Sequence, residues 1–183
     1  MKSDHVCMEA VREGDLDQLG LLFERHHKHL YNFFLRQTGN PQTSEDLVQD
    51  VFYRMMKYRY TYRSDSQFKT WMFTIAHNAK IDYYRKNKYR RNETELTDRM
   101  VSNEPNPEEV SIDQDKKFHL MSALAALPDD KREVLILSRF QNMKYEEIAE
   151  VTGCKVGTIK ARAHWALKEL AYQYQKRIGS EGI

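Results

Sequence analysis

The chain has 183 residues, of which 40% are hydrophobic and 31% charged, and it carries a net charge of +2. Domains usually run from about 50 to 200 residues, so one domain or two small ones fit this length, while seven glycines and four prolines leave little room for a loop-rich architecture. No apolar run approaches the roughly 20 residues that cross a bilayer; the N-terminus lacks the apolar core of a secretory signal, and Cys7 and Cys154 are too far apart for a disulfide framework or a metal-ligand pattern. The expectation is a mostly helical cytoplasmic chain with no membrane contact of its own.

The net charge conceals a block structure. Residues 1–92 carry 16 basic and 11 acidic side chains, residues 93–115 carry 1 and 8, and residues 116–183 carry 12 and 8. Within the first block, residues 53–91 hold 11 basic against 2 acidic residues, the density of a phosphate-facing surface. Residues 93–115 have no sustained apolar period and contain two of the four prolines. They read as an acidic flexible linker between two small helical domains, 9–92 and 116–178.

In chain order, Asp15 is the expected cap of the first helix, with Gln18 answering it, and Leu19, Leu22, Phe23, Leu30, Phe33 and Phe34 recur at the spacing of a buried face. His26, His27 and His29 fall on this helix, but no carboxylate or cysteine sits at close ligand spacing, so no metal or other cofactor is expected. Asn40-Pro41 breaks the helix, and Thr43 or Ser44 caps the next. That helix, over residues 45–58, places Leu47, Val48, Val51, Phe52, Met55 and Met56 on one side. Asp46, Gln49, Asp50, Tyr53 and Lys57 share the other, which is either solvated surface or a docking face for a basic partner.

A third helix begins near Phe68. Phe68, Met72, Ile75, Ala76, Ala79 and Tyr83 form its buried arc, and Phe73, His77, Lys80 and Tyr84 lie opposite. Aromatics alternating with cations suit single-stranded nucleic acid, and the same rings could equally pack against the first helix. Beyond the linker, Asp130 and Glu133 read as a capping pair before the apolar run 134–137. Ala149, Gly153 and Ile159 then stand at the offsets of a helix-turn-helix: a small side chain where two helices cross, a glycine for the turn, a branched plug between them. On the last helix Ile159, Ala163, Ala166 and Leu170 face inward. Gly157, Ala161, His164, Trp165 and Lys168 face out, flanked by Thr158 and Lys160, as a helix seated in a major groove requires.

DLVQDVF, FKTWMFTIAHNAKIDYYRK, an acidic linker, LPDDKREVLILSRF and YEEIAEVTGCKVGTIKAR follow one another in this order. The chain thereby resembles the extracytoplasmic-function sigma factors of the sigma-70 family, the two-domain class, over roughly residues 9–172. The resemblance implies an all-α fold and a protein that is not an enzyme. It implies a chain that binds core RNA polymerase, recognises the −35 and −10 promoter elements and promotes strand opening for transcription initiation, in the manner of stress-response regulators.

Residue by residue, the resemblance implies core-polymerase docking through Asp46, Leu47, Gln49, Asp50, Phe52 and Tyr53. It implies capture of the melted −10 strand by Phe68, Trp71, Phe73, Asn78, Lys80, Tyr84, Arg85, Lys86, Lys88, Arg90 and Arg91. Reading of the duplex −35 element falls to Lys155, Thr158, Lys160, Ala161, Arg162, His164, Trp165 and Lys168. An anti-sigma factor is an implied partner. Two departures stand out: Lys144 replaces the usual serine cap, and Trp165 stands where many relatives have arginine, trading a bidentate guanine contact for apolar contact with a thymine methyl or a sugar. The alternative is a helix-turn-helix regulator of duplex DNA that never meets polymerase and needs neither the docking face nor the single-strand surface.

Overall fold

The computed structural model describes residues 2–93 and 112–179. They form eight α-helices in two packed units, with no strand among them. The first unit holds α1 (Asp4–Glu13), α2 (Asp17–Thr38), α3 (Pro41–Lys57) and α4 (Phe68–Glu93), with a short 3-10 turn, Arg59–Thr61, between the last two. The second holds α5 (Ile112–Ala125), α6 (Asp129–Leu135), α7 (Tyr145–Thr152) and α8 (Val156–Gly179), and α6 continues as a π-helical turn over Ile136–Phe140. Residues 94–111, most of the expected linker, lie outside the described residues.

Helix α1 was not expected from the sequence. Ser3 caps it through Val6 N–H, Gly14 ends it at φ 111°, and its buried Cys7, Met8 and Val11 close the core from the N-terminal side. Helix α2 starts at Asp17 with Leu16 at its cap position; the Asp15 and Gln18 side chains bond each other at 3.1 Å without capping it. The α2–α3 corner is set by Gly39 at φ 67°, then Asn40, whose side chain accepts Thr43 N–H at 2.9 Å, then Pro41 in the first turn. The cap is therefore Asn40, not Thr43 or Ser44, and Pro41 sits where its missing N–H costs nothing.

Phe33 joins α2 to α4: its ring meets Phe34 at 5.1 Å and Phe73 at 5.3 Å, both edge-on. Such rings contribute about 1.5–3 kcal/mol each by burial, plus about 0.5–1.5 kcal/mol per aromatic pair. Phe23 departs from the expected buried face. It lies at the edge, exposed on one side, against Phe52 at 4.9 Å and His27 at 5.0 Å.

In the second unit α6, α7 and α8 enclose Val134, Leu137, Ile148, Val151, Ile159 and Ala163. Gly153 takes φ 66° and its N–H bonds Glu150 O, so the α7–α8 turn has the left-handed residue its tightness requires. The cap missing at Lys144 is partly replaced: Glu147 accepts Lys144 N–H at 2.6 Å.

The two units pack on each other, with α4 against α7 and α2 against α5, α6 and the π-helical turn.

Candidate nucleic-acid interface

Helix α8 divides cleanly. Ile159, Ala163 and Ala166 are fully or almost fully buried, while Lys155, Thr158, Lys160, Ala161, His164, Trp165 and Lys168 are exposed. Trp165, at 56% exposure, is held upright by His164 edge-on at 5.5 Å and by Lys168 Nζ 5.0 Å from its ring. A large indole left in water between two cationic or titratable neighbours forms an amphipathic contact surface on an otherwise polar helix face. Arg162 differs from the rest. Its guanidinium turns inward to Asp130 at 3.2 Å and Cys154 Sγ at 3.4 Å, so it braces the turn instead of facing a groove.

On α3, Asp46, Gln49 and Tyr53 are exposed, and Asp50 is half-buried and tied to Arg54 at 2.9 Å. Arg54 in turn bonds Asp82 of α4 at 2.8 Å, and that hydrogen bond holds the Asp82 carboxyl below the usual carboxylate range. The polar face is thereby pinned to α4. Leu47 and Phe52 do not lie on it: both are buried in the core, as their places in the apolar period dictate.

Helix α4 differs most from expectation. Phe68 and Phe73 are core residues, the first packed on His26 at 5.1 Å. Trp71 is half-buried, edge-on to Tyr62 at 5.2 Å, with its indole N–H 3.4 Å from Thr61 Oγ1. Asn78, Arg85 and Lys86 are exposed, with Arg85 bonded to Asp82 at 2.9 Å. Lys88, Arg90 and Arg91 are on the last turns of α4, and their side chains lie outside the described residues.

Lys80 is 1% exposed and its Nζ donates to Glu133 Oε2 and Asp129 Oδ2, both at 2.9 Å. His77 Nδ1 meets Glu133 Oε1 at 2.9 Å. So the arc expected to face nucleic acid is divided: Phe73 lies in the core, His77 and Lys80 pair with α6, and Tyr84 stays exposed with its hydroxyl tied to α2. The physical reason is ion pairing: a lysine this deeply buried requires a charged partner, and α6 brings two. Burial pushes the Glu133 carboxyl up, but the hydrogen bond from His77 and the charge of Lys80 outweigh it and leave the group below its ordinary value.

Around this centre the Tyr84 hydroxyl donates to Gln37 O at 3.3 Å, and burial, reinforced by the Asp129 charge, pushes it up to about 12. Arg132 of α6 donates to the same carbonyl at 2.6 Å, Lys69 Nζ donates to Gln141 O, and Arg36 lies 4.3 Å over the Phe140 ring.

Sequence reasoning missed Asp129, Arg132, Gln37 and Gln141, and assigned Glu133 to a cap that it does not form; Pro128 occupies that position. A signal was present: His77 and Lys80 are three apart and Asp129 and Glu133 four apart, two same-face pairs of opposite sign on different helices. Among the described residues no group of three or more histidine, cysteine or acidic side chains could hold a metal ion; His26 is instead bonded to Asp4 at 2.7 Å. No helix among them is long and apolar enough to cross a membrane.

Residues 22–90 match the family described as Sigma-70 region 2, and residues 118–170 match Sigma-70, region 4. The chain is 31% identical to the RNA polymerase sigma factor YlaC of Bacillus subtilis, over 91% of this chain and 98% of that one. It is 30% identical to the ECF RNA polymerase sigma factor SigE of Mycolicibacterium smegmatis, over 92% and 68% respectively. In structure it is similar to the sigma factor RpoE crystallised with the anti-sigma factor NepR from Bartonella quintana, with a TM-score of 0.72 and 26% identity over 85% of this chain and 96% of that one.

Proposed function

The chain belongs to the RNA polymerase sigma factors of the sigma-70 family, extracytoplasmic-function class, and on that premise we propose how its surfaces divide the work of starting transcription. It is an alternative sigma factor; a duplex regulator acting without polymerase is not favoured. The exposed Asp46, Gln49 and Tyr53 of α3, with Asp50 beside them, dock on core polymerase. Lys160, Ala161, His164, Trp165 and Lys168 enter the major groove of the −35 element, with Lys155 and Thr158 on flanking phosphates.

Trp71, Asn78, Tyr84, Arg85 and Lys86, joined by Lys80 where α6 leaves it, hold the melted −10 strand: the indole and phenol stack on bases and the cations follow phosphates. Arg162 positions the turn and does not read bases. Family members are not enzymes, and the chain contributes recognition and strand opening while polymerase supplies the chemistry. Its partners are core RNA polymerase, promoter DNA and an anti-sigma factor, which places its work in the cytoplasm.

The observation that carries this reading is the two-sided α8, buried at Ile159, Ala163 and Ala166 on one side and offering a tryptophan among cations on the other. Run-off transcription by purified bacterial core polymerase, with and without the protein, on fragments including the region upstream of its own gene, tests it. New discrete transcripts are expected. Absence of transcripts together with absence of co-elution with core would overturn it.

A further inference from the structure

We propose that His5 and Arg12 of α1 are positioning residues for capture of the −10 strand: acting through Tyr62, they fix the segment 58–67 against which the Trp71 indole is set. The proposal deepens the reading of Trp71 as a base-stacking residue and rests on it.

The segment has little to hold it from within. Between Met55 and Phe68, Tyr62 is the one buried residue, at 1% exposure, in a stretch whose only regular structure is the turn Arg59–Thr61. Trp71 leans on this same stretch. Its ring lies edge-on to Tyr62 at 5.2 Å and its indole N–H donates to Thr61 Oγ1 at 3.4 Å, so the places of Tyr62 and Thr61 decide where the indole points.

What holds Tyr62 comes from α1. His5 Nδ1 lies 2.8 Å from the Tyr62 hydroxyl, and Arg12 donates to the Tyr62 carbonyl at 3.4 Å and to Ser64 Oγ at 3.2 Å. In the neutral imidazole Nδ1 accepts the phenol proton, while Nε2–H donates to Glu9 at 3.4 Å. Burial pushes the phenol up to about 12, with the charges of Glu9 and Asp4 adding to it, so it keeps the proton that this bond needs. His5, Glu9 and Arg12 share one stripe of α1, whereas the buried Cys7 and Val11 turn away from it. The helix that presents them is itself anchored, since Asp4 accepts from Arg25 and His26 of α2 at 2.7 Å each. Closing the core requires only the buried side chains of α1; His5 and Arg12 instead reach 50 and more residues along the chain to one loop. Helix α1 precedes residues 22–90, the part that matches Sigma-70 region 2, so the brace joins that unit from outside it.

The test is permanganate reactivity of −10 thymines in complexes of core polymerase with the full chain, on a promoter mapped by the run-off assay. A net hydrogen bond shifts an equilibrium about 2- to 12-fold. His5→Ala combined with Arg12→Ala is therefore expected to lower melting about 3- to 10-fold, and never by more than Trp71→Ala does. In the Trp71→Ala background the same two changes are expected to cost nothing further, because they act through the indole, whereas a general loss of stability would add in both backgrounds. Tyr62→Phe keeps the ring, removes the hydroxyl that meets His5, and is expected to lower melting about two-fold or more, with no further loss when His5→Ala is added. Co-elution with core polymerase is expected to stay unchanged throughout.

A second measurement needs no DNA. In a Trp165→Phe chain Trp71 is the only tryptophan, and His5→Ala with Arg12→Ala is expected to move its emission to longer wavelength and to raise its quenching by acrylamide. Unchanged emission, additive losses with Trp71→Ala, or a loss of core binding equal to the loss of melting would each overturn the proposal. Absence of transcripts from the wild-type chain overturns the −10 reading on which it rests, whereas melting lost in Trp71→Ala and kept in His5→Ala with Arg12→Ala overturns the positioning role alone.

Discussion

Replacing Trp71 by alanine separates a stacking role from a packing one. The indole lies half-buried, edge-on to Tyr62 at 5.2 Å, with one hydrogen bond of 3.4 Å to Thr61. Alanine at a fully buried aromatic costs about 3–5 kcal/mol, so a half-buried one loses about 2 kcal/mol, which the core around Phe33 and Met72 absorbs without unfolding. A base stacked on a ring contributes about 1–3 kcal/mol. If Trp71 holds one unpaired base, the open complex weakens by about 5- to 150-fold.

Permanganate reactivity of −10 thymines reads this directly, and gel filtration with core polymerase supplies the control. Polymerase affinity is expected to stay within about two-fold, since the α3 face is separate from Trp71. Loss of polymerase binding equal to the loss of melting would refute the reasoning and make Trp71 a packing residue alone. Trp71→Phe keeps a ring and is expected to recover most of the melting.

Asp46→Ala with Gln49→Ala is expected to weaken core-polymerase binding about ten-fold or more with an unchanged melting temperature, whereas Leu47→Ala, buried on the opposite side, is expected to lose about 2–5 kcal/mol of stability in urea unfolding. Gly153→Ala forces an L side chain to φ 66° and is expected to cost about 1 kcal/mol, read as a lower thermal midpoint with reduced −35 duplex binding. Glu133 is held below its ordinary value of 4.5, so its stabilisation is complete above that pH and fades as pH falls through the lower native-state value. Urea unfolding from about pH 6 down to about pH 3 is expected to fall more steeply for wild type than for Glu133→Gln. Lys160→Ala is expected to weaken −35 duplex binding across all sequences alike and to reduce the slope of log affinity against log salt by about 1.

Helix-turn-helix chemistry was legible because it is local: Ala149, Gly153 and Ile159 act within ten residues of one another, and the structure buries, turns and plugs where their spacing said it would. The apolar face of α3 was legible for the same reason. What stayed hidden was non-local or weakly periodic. Helix α1 buries only three residues, and its signals were a serine cap and a terminal glycine, too common to stand alone. Asp130 and Glu133 have the spacing of a capping pair, yet one carboxylate goes to Arg162 and the other to residues 53 and 56 positions back in the chain. Lys80 looked like a surface cation because periodicity reports which side of a helix faces away from its first neighbour and cannot report a second neighbour that arrives after a linker.

Because Glu133 and Lys80 belong to one polypeptide, the contact between them is unimolecular. Its strength is set by an effective concentration that the connecting chain fixes. Dilution does not release it and overproduction does not titrate it, so every folded copy of the protein carries the pair in a one-to-one ratio.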